Sequence, residues 1–239
     1  MSHASPHIRT GMHYNGWVAS GSDGHSQPPQ APREGYRGRD LTGTDFSGAD
    51  LKGVNFIQAN LSEATLTGAN LTTARMHGAR LRGADLSSVS AEGLGGREVD
   101  LEGARLTGAN LQAALLAEAV LLDADLTGAL LQKADLRGAD LRSANFTGAD
   151  LSEADLSGAD LSGADFTNVV LTGVRARGTR IARLKGISDE GRQALLDAGA
   201  SSGTLQQLSR TLKEVRSRLS SRAQAVSYTH LRAHETVRN

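Results

Sequence analysis

The chain of 239 residues contains no cysteine, which excludes disulfides and thiolate chemistry and fits a reducing compartment. It also lacks an excess of either charge: 26 basic and 26 acidic side chains give a formal net charge of zero. That argues against a general nucleic-acid binder of the basic kind. No apolar run approaches the ~18 residues of a membrane span. The N-terminus has no basic patch followed by an apolar stretch, so no secretory signal is visible. A cytoplasmic protein with no membrane contact and no direct nucleic-acid binding is the expectation. Catalytic patterns are missing too. Between residues 39 and 183 the one histidine is His77 and there is no G-x-S-x-G, and the chain has no H-E-x-x-H. No enzyme activity, cofactor or metal is expected.

What the chain does have is a five-residue period. Stepping by five from Leu41 to Ile181 visits 29 positions, of which 26 hold Leu, Phe, Met or Ile. The residue two before each centre is Ala in 20 of those 29. All four Phe of the protein, Phe46, Phe56, Phe146 and Phe166, sit on centres. An α-helix cannot bury such a series, because five residues advance it by about 500°, a net rotation of about 140°. A strand cannot either, since its side chains alternate with period two. A square coil can. Each pentapeptide makes one side, the centre and the small residue two before it point inward, and the other three face water. Turns of 20 residues would then stack at about 4.8 Å. The second inward residue has to be Ala-sized, because the centres already fill a narrow interior.

The units read as Ala149-Asp150-Leu151-Ser152-Glu153 and Ala159-Asp160-Leu161-Ser162-Gly163. This closely resembles the pentapeptide-repeat family. The resemblance implies an all-β solenoid, a right-handed quadrilateral β-helix, here with short C-terminal helices.

Four zones follow from the pattern. Residues 1–38 hold all four prolines, lack periodicity and are expected to form a disordered leader. Tyr36 falls in phase with the centres. Residues 39–183 form the solenoid. Residues 184–225 carry two helical patterns: 188–198, with Ser188 as N-cap and Gly199 beyond its end, and 204–222. In the second, Leu205, Leu208, Leu212, Val215 and Leu219 are spaced 3, 4, 3, 4, an a/d stripe expected to pair two copies into a homodimer. Residues 226–239 resemble translated adaptor sequence and are expected to be a non-native tail, with the native C-terminus missing.

Surface candidates come from departures and excesses. Asp occupies twelve positions before a centre, where a short acceptor would satisfy backbone N–H groups at the corners and keep the rod soluble. Residues 143–174 contain Asp150, Glu153, Asp155, Asp160 and Asp165 with no Lys or Arg. Some pentapeptide-repeat proteins mimic DNA and protect gyrase, so this acidic band is one candidate partner surface. The blurred patch from Ser87 to Asp100, with Leu94 and Arg97, is another, as a projecting loop or as degenerate sides. Leu115, Val120, Leu122 and Leu130, apolar at outward positions, are a third. The function expected is a non-enzymatic protein-interaction scaffold, with topoisomerase protection as the alternative.

Overall fold

The computed structural model describes residues 35–202. The predicted helix at 204–222 with its Leu205, Leu208, Leu212, Val215 and Leu219 stripe, the tail at 226–239 and residues 1–34 lie outside them. Parallel bridges join residue i to residue i+20 from Asp40↔Asn60 to Asp165↔Lys185. The chain is therefore a coil of four five-residue sides per turn, and Asp40 and Arg180 are seven turns apart. Centres Leu41 and Leu61 belong to the first side, Phe46 and Leu66 to the second, Leu51 and Leu71 to the third, Phe56 and Met76 to the fourth.

One side accounts for all five of its backbone N–H groups, as residues 60–64 illustrate. The Leu61 and Glu63 N–H groups donate to the carbonyls of Arg80 and Arg82 in the next turn, at 2.6 and 2.9 Å. The Asn60 N–H donates back to the Arg39 carbonyl, and the Ala64 N–H closes a four-residue turn onto Leu61. The fifth, on Ser62, has no backbone acceptor within reach and donates to Asn60 Oδ1 at 3.2 Å. Asp or Asn before the centre is thus a structural acceptor, since a buried or half-buried N–H left unmade is costly. The third residue of each turn has a left-handed φ, 59° at Glu63, as a type II turn requires.

The interior is one column of side chains. Centres and Ala positions are buried from Phe46 to Phe166, including Leu51, Leu101 and Leu141, while the terminal centres Leu41 and Leu171 are half-buried. Tyr36 is buried as well and stacks on Phe56 with ring centroids 5.1 Å apart. The patch from Ser87 to Asp100 stays in the coil: Ser90 bridges Asn70 and Asn110, and Gly95 bridges Arg75 and Leu115. It is a set of degenerate sides. Here the inward pair exchanges sizes, Leu94 filling the small position while Gly96 vacates the centre. A Cβ on Gly96 would lie 2.8 Å from Leu116 Cδ2, so the volume is already taken.

At the C-terminal end the helix α1 (Asp189–Asp197) closes the coil. Ser188 caps it, its side chain accepting from the Gly191 N–H at 3.1 Å. Leu195 is buried, and Leu196 packs against the core cluster. The chain then returns over the last turn, where the Ile181 N–H donates to Ser201 and the Ser201 N–H to Thr179. The buried Thr179 hydroxyl donates to the Leu156 carbonyl at 2.6 Å.

Candidate interaction surfaces

The outer surface is built from the three outward residues of each side, held at fixed spacing by the backbone ladder. Hydroxyls beside the acidic residues complete the acceptor role of the latter. Ser47 and Thr167 donate from Oγ to Asp45 and Asp165, each at 2.6 Å, and their N–H groups bond the same oxygens. These bonds, hydroxyl first and backbone second, hold the Asp45 and Asp165 carboxyls below the ordinary 3.8. Asp40 is lowered likewise, by the Thr42 hydroxyl and N–H.

A carboxyl whose folded pKa lies below its unfolded value contributes stability above about pH 3.8 that is lost as pH falls through the folded pKa. Melting temperature should therefore drop between pH 5 and pH 2. In a Thr42→Ala, Ser47→Ala, Thr167→Ala variant that acid-side loss should shrink. Parallel curves for variant and wild type would show that the hydroxyls do not set it.

The acidic band lies on four successive sides: Asp150 on the third, Asp155 on the fourth, Asp160 on the first and Asp165 on the second. The next turn stacks a cation on three of these four Asp and Val170 on Asp150. Arg175 Nε is 3.1 Å from Asp155 Oδ2, and Arg180 reaches Asp160 Oδ2 at 2.7 Å. Lys185 stands one step along the ladder from Asp165 and acts on its charge. Asp150 accepts from Gln132 Nε2 at 2.6 Å, and Lys133 Nζ is 4.0 Å from Glu153. Arg175, Arg180 and Lys185 were missed in sequence because they fall just past the window 143–174, which holds no Lys or Arg. Counting by 20 instead of along the chain finds them.

Two other candidate sets are corrected by the register. Leu94 is only 2% exposed and faces the interior from the position two before a centre, so it is no contact residue. The apolar positions are not one cluster. Leu115 belongs to the fourth side, Val120 and Leu122 to the first, and Leu130 to the third, each on a separate ladder. Nearness in sequence does not make neighbours when the chain turns a corner every five residues. Leu115 and Leu130 are 51% and 39% exposed, and Val170, two turns above Leu130, is 45% exposed. Val120 and Leu122 are half-buried.

Arg97, the remaining candidate, is engaged locally, with Glu118 at 2.7 Å and Glu98 at 3.3 Å. Its backbone N–H donates to His77 Nδ1 of the preceding turn at 3.2 Å. Gly95 has no side-chain acceptor to offer, and the absence of a Cβ there leaves room for the imidazole. His77 replaces a missing Asp. Among the described residues, no group of three or more His, Cys, Asp or Glu is placed to hold a metal ion.

Solved structures with related coils include HetL from the cyanobacterium Nostoc, a pentapeptide repeat protein involved in heterocyst differentiation regulation. The two are 28% identical over 59% of this chain and 86% of HetL, with a TM-score of 0.39. QnrB1, a plasmid-mediated fluoroquinolone resistance protein, is 21% identical over 68% of this chain and 84% of its own, with a TM-score of 0.47. A second Nostoc pentapeptide repeat protein, alr5209, is 34% identical over 43% and 84%, with a TM-score of 0.38. No curated protein matches the chain. The sequence profile of the pentapeptide repeats matches eight copies within residues 37–87 and 97–181, more than half of the chain. With its five-residue period and its ladder of bridges, this chain belongs to the pentapeptide-repeat family.

Proposed function

We propose that the chain is a non-enzymatic scaffold, a right-handed quadrilateral β-helix whose sides present different chemistry to protein partners. One observation carries this reading. The core needs only a period of five, yet the surface keeps a period of twenty. Every twentieth residue from Ser47 to Thr167 is Ser or Thr, and these line the second side alone. Equivalent positions on the fourth side run Ile57, His77, Arg97, Ala117, Arg137 and Ser157. Stable packing does not call for that difference, whereas recognition of a partner by one side does.

The test is capture of partners from the native host by charge-bearing variants of each side. Val120→Lys with Leu122→Lys alters the first, Leu130→Lys with Val170→Lys the third, and Leu115→Lys the fourth. A given partner should be lost with one set and kept with the others. The same proteins captured by all variants and wild type would discard a side-specific scaffold.

DNA mimicry with protection of gyrase is the second reading, and the encircling Asp150, Asp155, Asp160 and Asp165 are what favour it. The cations stacked on Asp155, Asp160 and Asp165 oppose it, since a mimic of phosphates needs uncompensated charge. Gyrase supercoiling, with and without a quinolone, is expected to be indifferent to the protein. Protection by wild type that disappears when the four Asp become Asn would put mimicry in place of the scaffold.

A further inference from the structure

Cations in the column just before the centres follow a rule with two exceptions. That column holds Arg75, Arg80, Arg105, Arg175, Arg180 and Lys185. Four of them stand one turn above an Asp: Arg105 over Asp85, Arg175 over Asp155, Arg180 over Asp160 and Lys185 over Asp165. Arg75 and Arg80 stand over Asn55 and Asn60 instead. One turn further on, the ladder gives Arg75 only Gly95, and it gives Arg80 an Asp100 whose carboxylate is already held by Arg82 Nε at 2.6 Å. Both arginines are exposed and form no ion pair with a described residue. They flank one corner, Arg75 on the fourth side and Arg80 on the first, with His77 and Gly78 between them. Asn55, Ile57, Gln58 and Asn60 make the turn below uncharged at this corner, and below that Arg37 is exposed as well. The carboxylates that share these columns are engaged: Asp40 by Thr42 and Asn60, Asp100 and Glu102 by Arg82, Glu98 and Glu118 by Arg97.

We propose that this corner binds a short acidic segment of a partner protein, whose carboxylates do for Arg75 and Arg80 what Asp155 and Asp160 do for Arg175 and Arg180. It rests on the scaffold reading and names the chemistry of one partner. A single solvated guanidinium on a rod is ordinary. Two on adjoining sides, with Arg37 below, concentrate donors of one sign beside no acceptor of their own. The guanidinium fork fits a carboxylate with two parallel N–H bonds. Arg142 shows that fit against Asp140, with Nε at 2.7 Å and Nη2 at 2.6 Å. Charge complementarity of this kind fixes register and rejects wrong partners. Half-buried Ile57 lies between Arg37 and His77 in the column after the centres and adds an apolar contact. The extent of the patch favours a peptide over a nucleic acid. From Arg37 to His77 it runs two turns, about 10 Å, and Glu98, Asp100 and Glu102 occupy the next turn. A DNA duplex, with one charge per ~1.7 Å, would lay further phosphates along those carboxylates. A short acidic segment ends before them.

The experiment is fluorescence anisotropy of a labelled oligoglutamate peptide of about ten residues, titrated with the full chain at low and at physiological salt. Arg75→Gln with Arg80→Gln is compared with Arg175→Gln with Arg180→Gln, and far-UV melts confirm that both variants fold. The first variant should bind at least about tenfold more weakly than wild type and the second within about twofold of it, and salt should weaken wild-type binding. Equal losses in the two variants, or no binding by wild type, overturn the proposal. So does duplex DNA bound more tightly than the peptide and released by the Arg75→Gln, Arg80→Gln change, which would give the corner to phosphates. The scaffold reading is judged separately. If the peptide is ignored while host proteins are still captured by particular sides, this proposal falls and the scaffold stands. Peptide bound through the two arginines, with the same host proteins captured by every surface variant, supports the acidic-segment site and discards side-specific capture.

Discussion

Leu141→Asp should disrupt the middle of the rod, while Asp140→Ala beside it should be tolerated. Leu141 is fully buried at the centre of a regular side, between Ala139 and Ala144. A carboxylate there finds no cation and no water, and an unpaired charge of this kind costs on the order of 3–5 kcal/mol. That rivals the ~5–15 kcal/mol stability of an ordinary domain. Asp140 is a surface residue whose work is to accept from Arg142, Nε at 2.7 Å and N–H at 3.3 Å. Losing that exposed pair should cost about 0.5–1 kcal/mol. Denaturant midpoints distinguish the two outcomes. Coincident midpoints would mean that the inward register has been assigned to the wrong residues.

The exchange of sizes at Leu94 and Gly96 predicts a strong coupling. Leu94→Ala alone leaves a void and should cost about 2–5 kcal/mol. Gly96→Leu alone forces atoms against Leu116 Cδ2 and also Val99 Cγ1, 3.3 Å from an added Cβ, and should cost about 1–3 kcal/mol. The double variant restores the arrangement of every regular side, Ala at the small position and Leu at the centre. Gly96 has no left-handed φ to forbid a side chain. The double variant should therefore be more stable than either single one, with a coupling of at least ~2 kcal/mol. Additive losses in a four-member melting cycle would show that the two side chains do not share one volume.

Much of the fold was legible because the core rule is local. A period of five assigns inward and outward positions without reference to any distant residue, and it placed Leu141, Phe146 and Ala144 directly. The Ser188 cap and the acidic first turn likewise marked α1. The surface was less legible because its neighbours are twenty residues apart. Asp155 meets Arg175, and Leu130 shares a ladder with Val170, while Leu115 and Leu130, close in sequence, belong to different sides. Leu94 escaped for another reason. Gly96 blurs the centre beside it, so that the patch also reads as a projecting loop, although a residue two before a centre is inward.

The two periods have a consequence for how such a chain changes length. Removing five residues, 124–128 for example, leaves every downstream leucine in phase with the interior, so packing hardly registers the loss. The exterior beyond the cut, however, is rotated by a quarter turn relative to the part before it. Val120, which bridges Asp140, would then meet Asn145, and the hydroxyl column of the second side would break at the cut and resume around a corner. Removing twenty residues shortens the rod and keeps each column continuous. Deletions and insertions of five are therefore silent for folding and disruptive for recognition, and alignments of such chains carry functional meaning only when gaps are counted in whole turns.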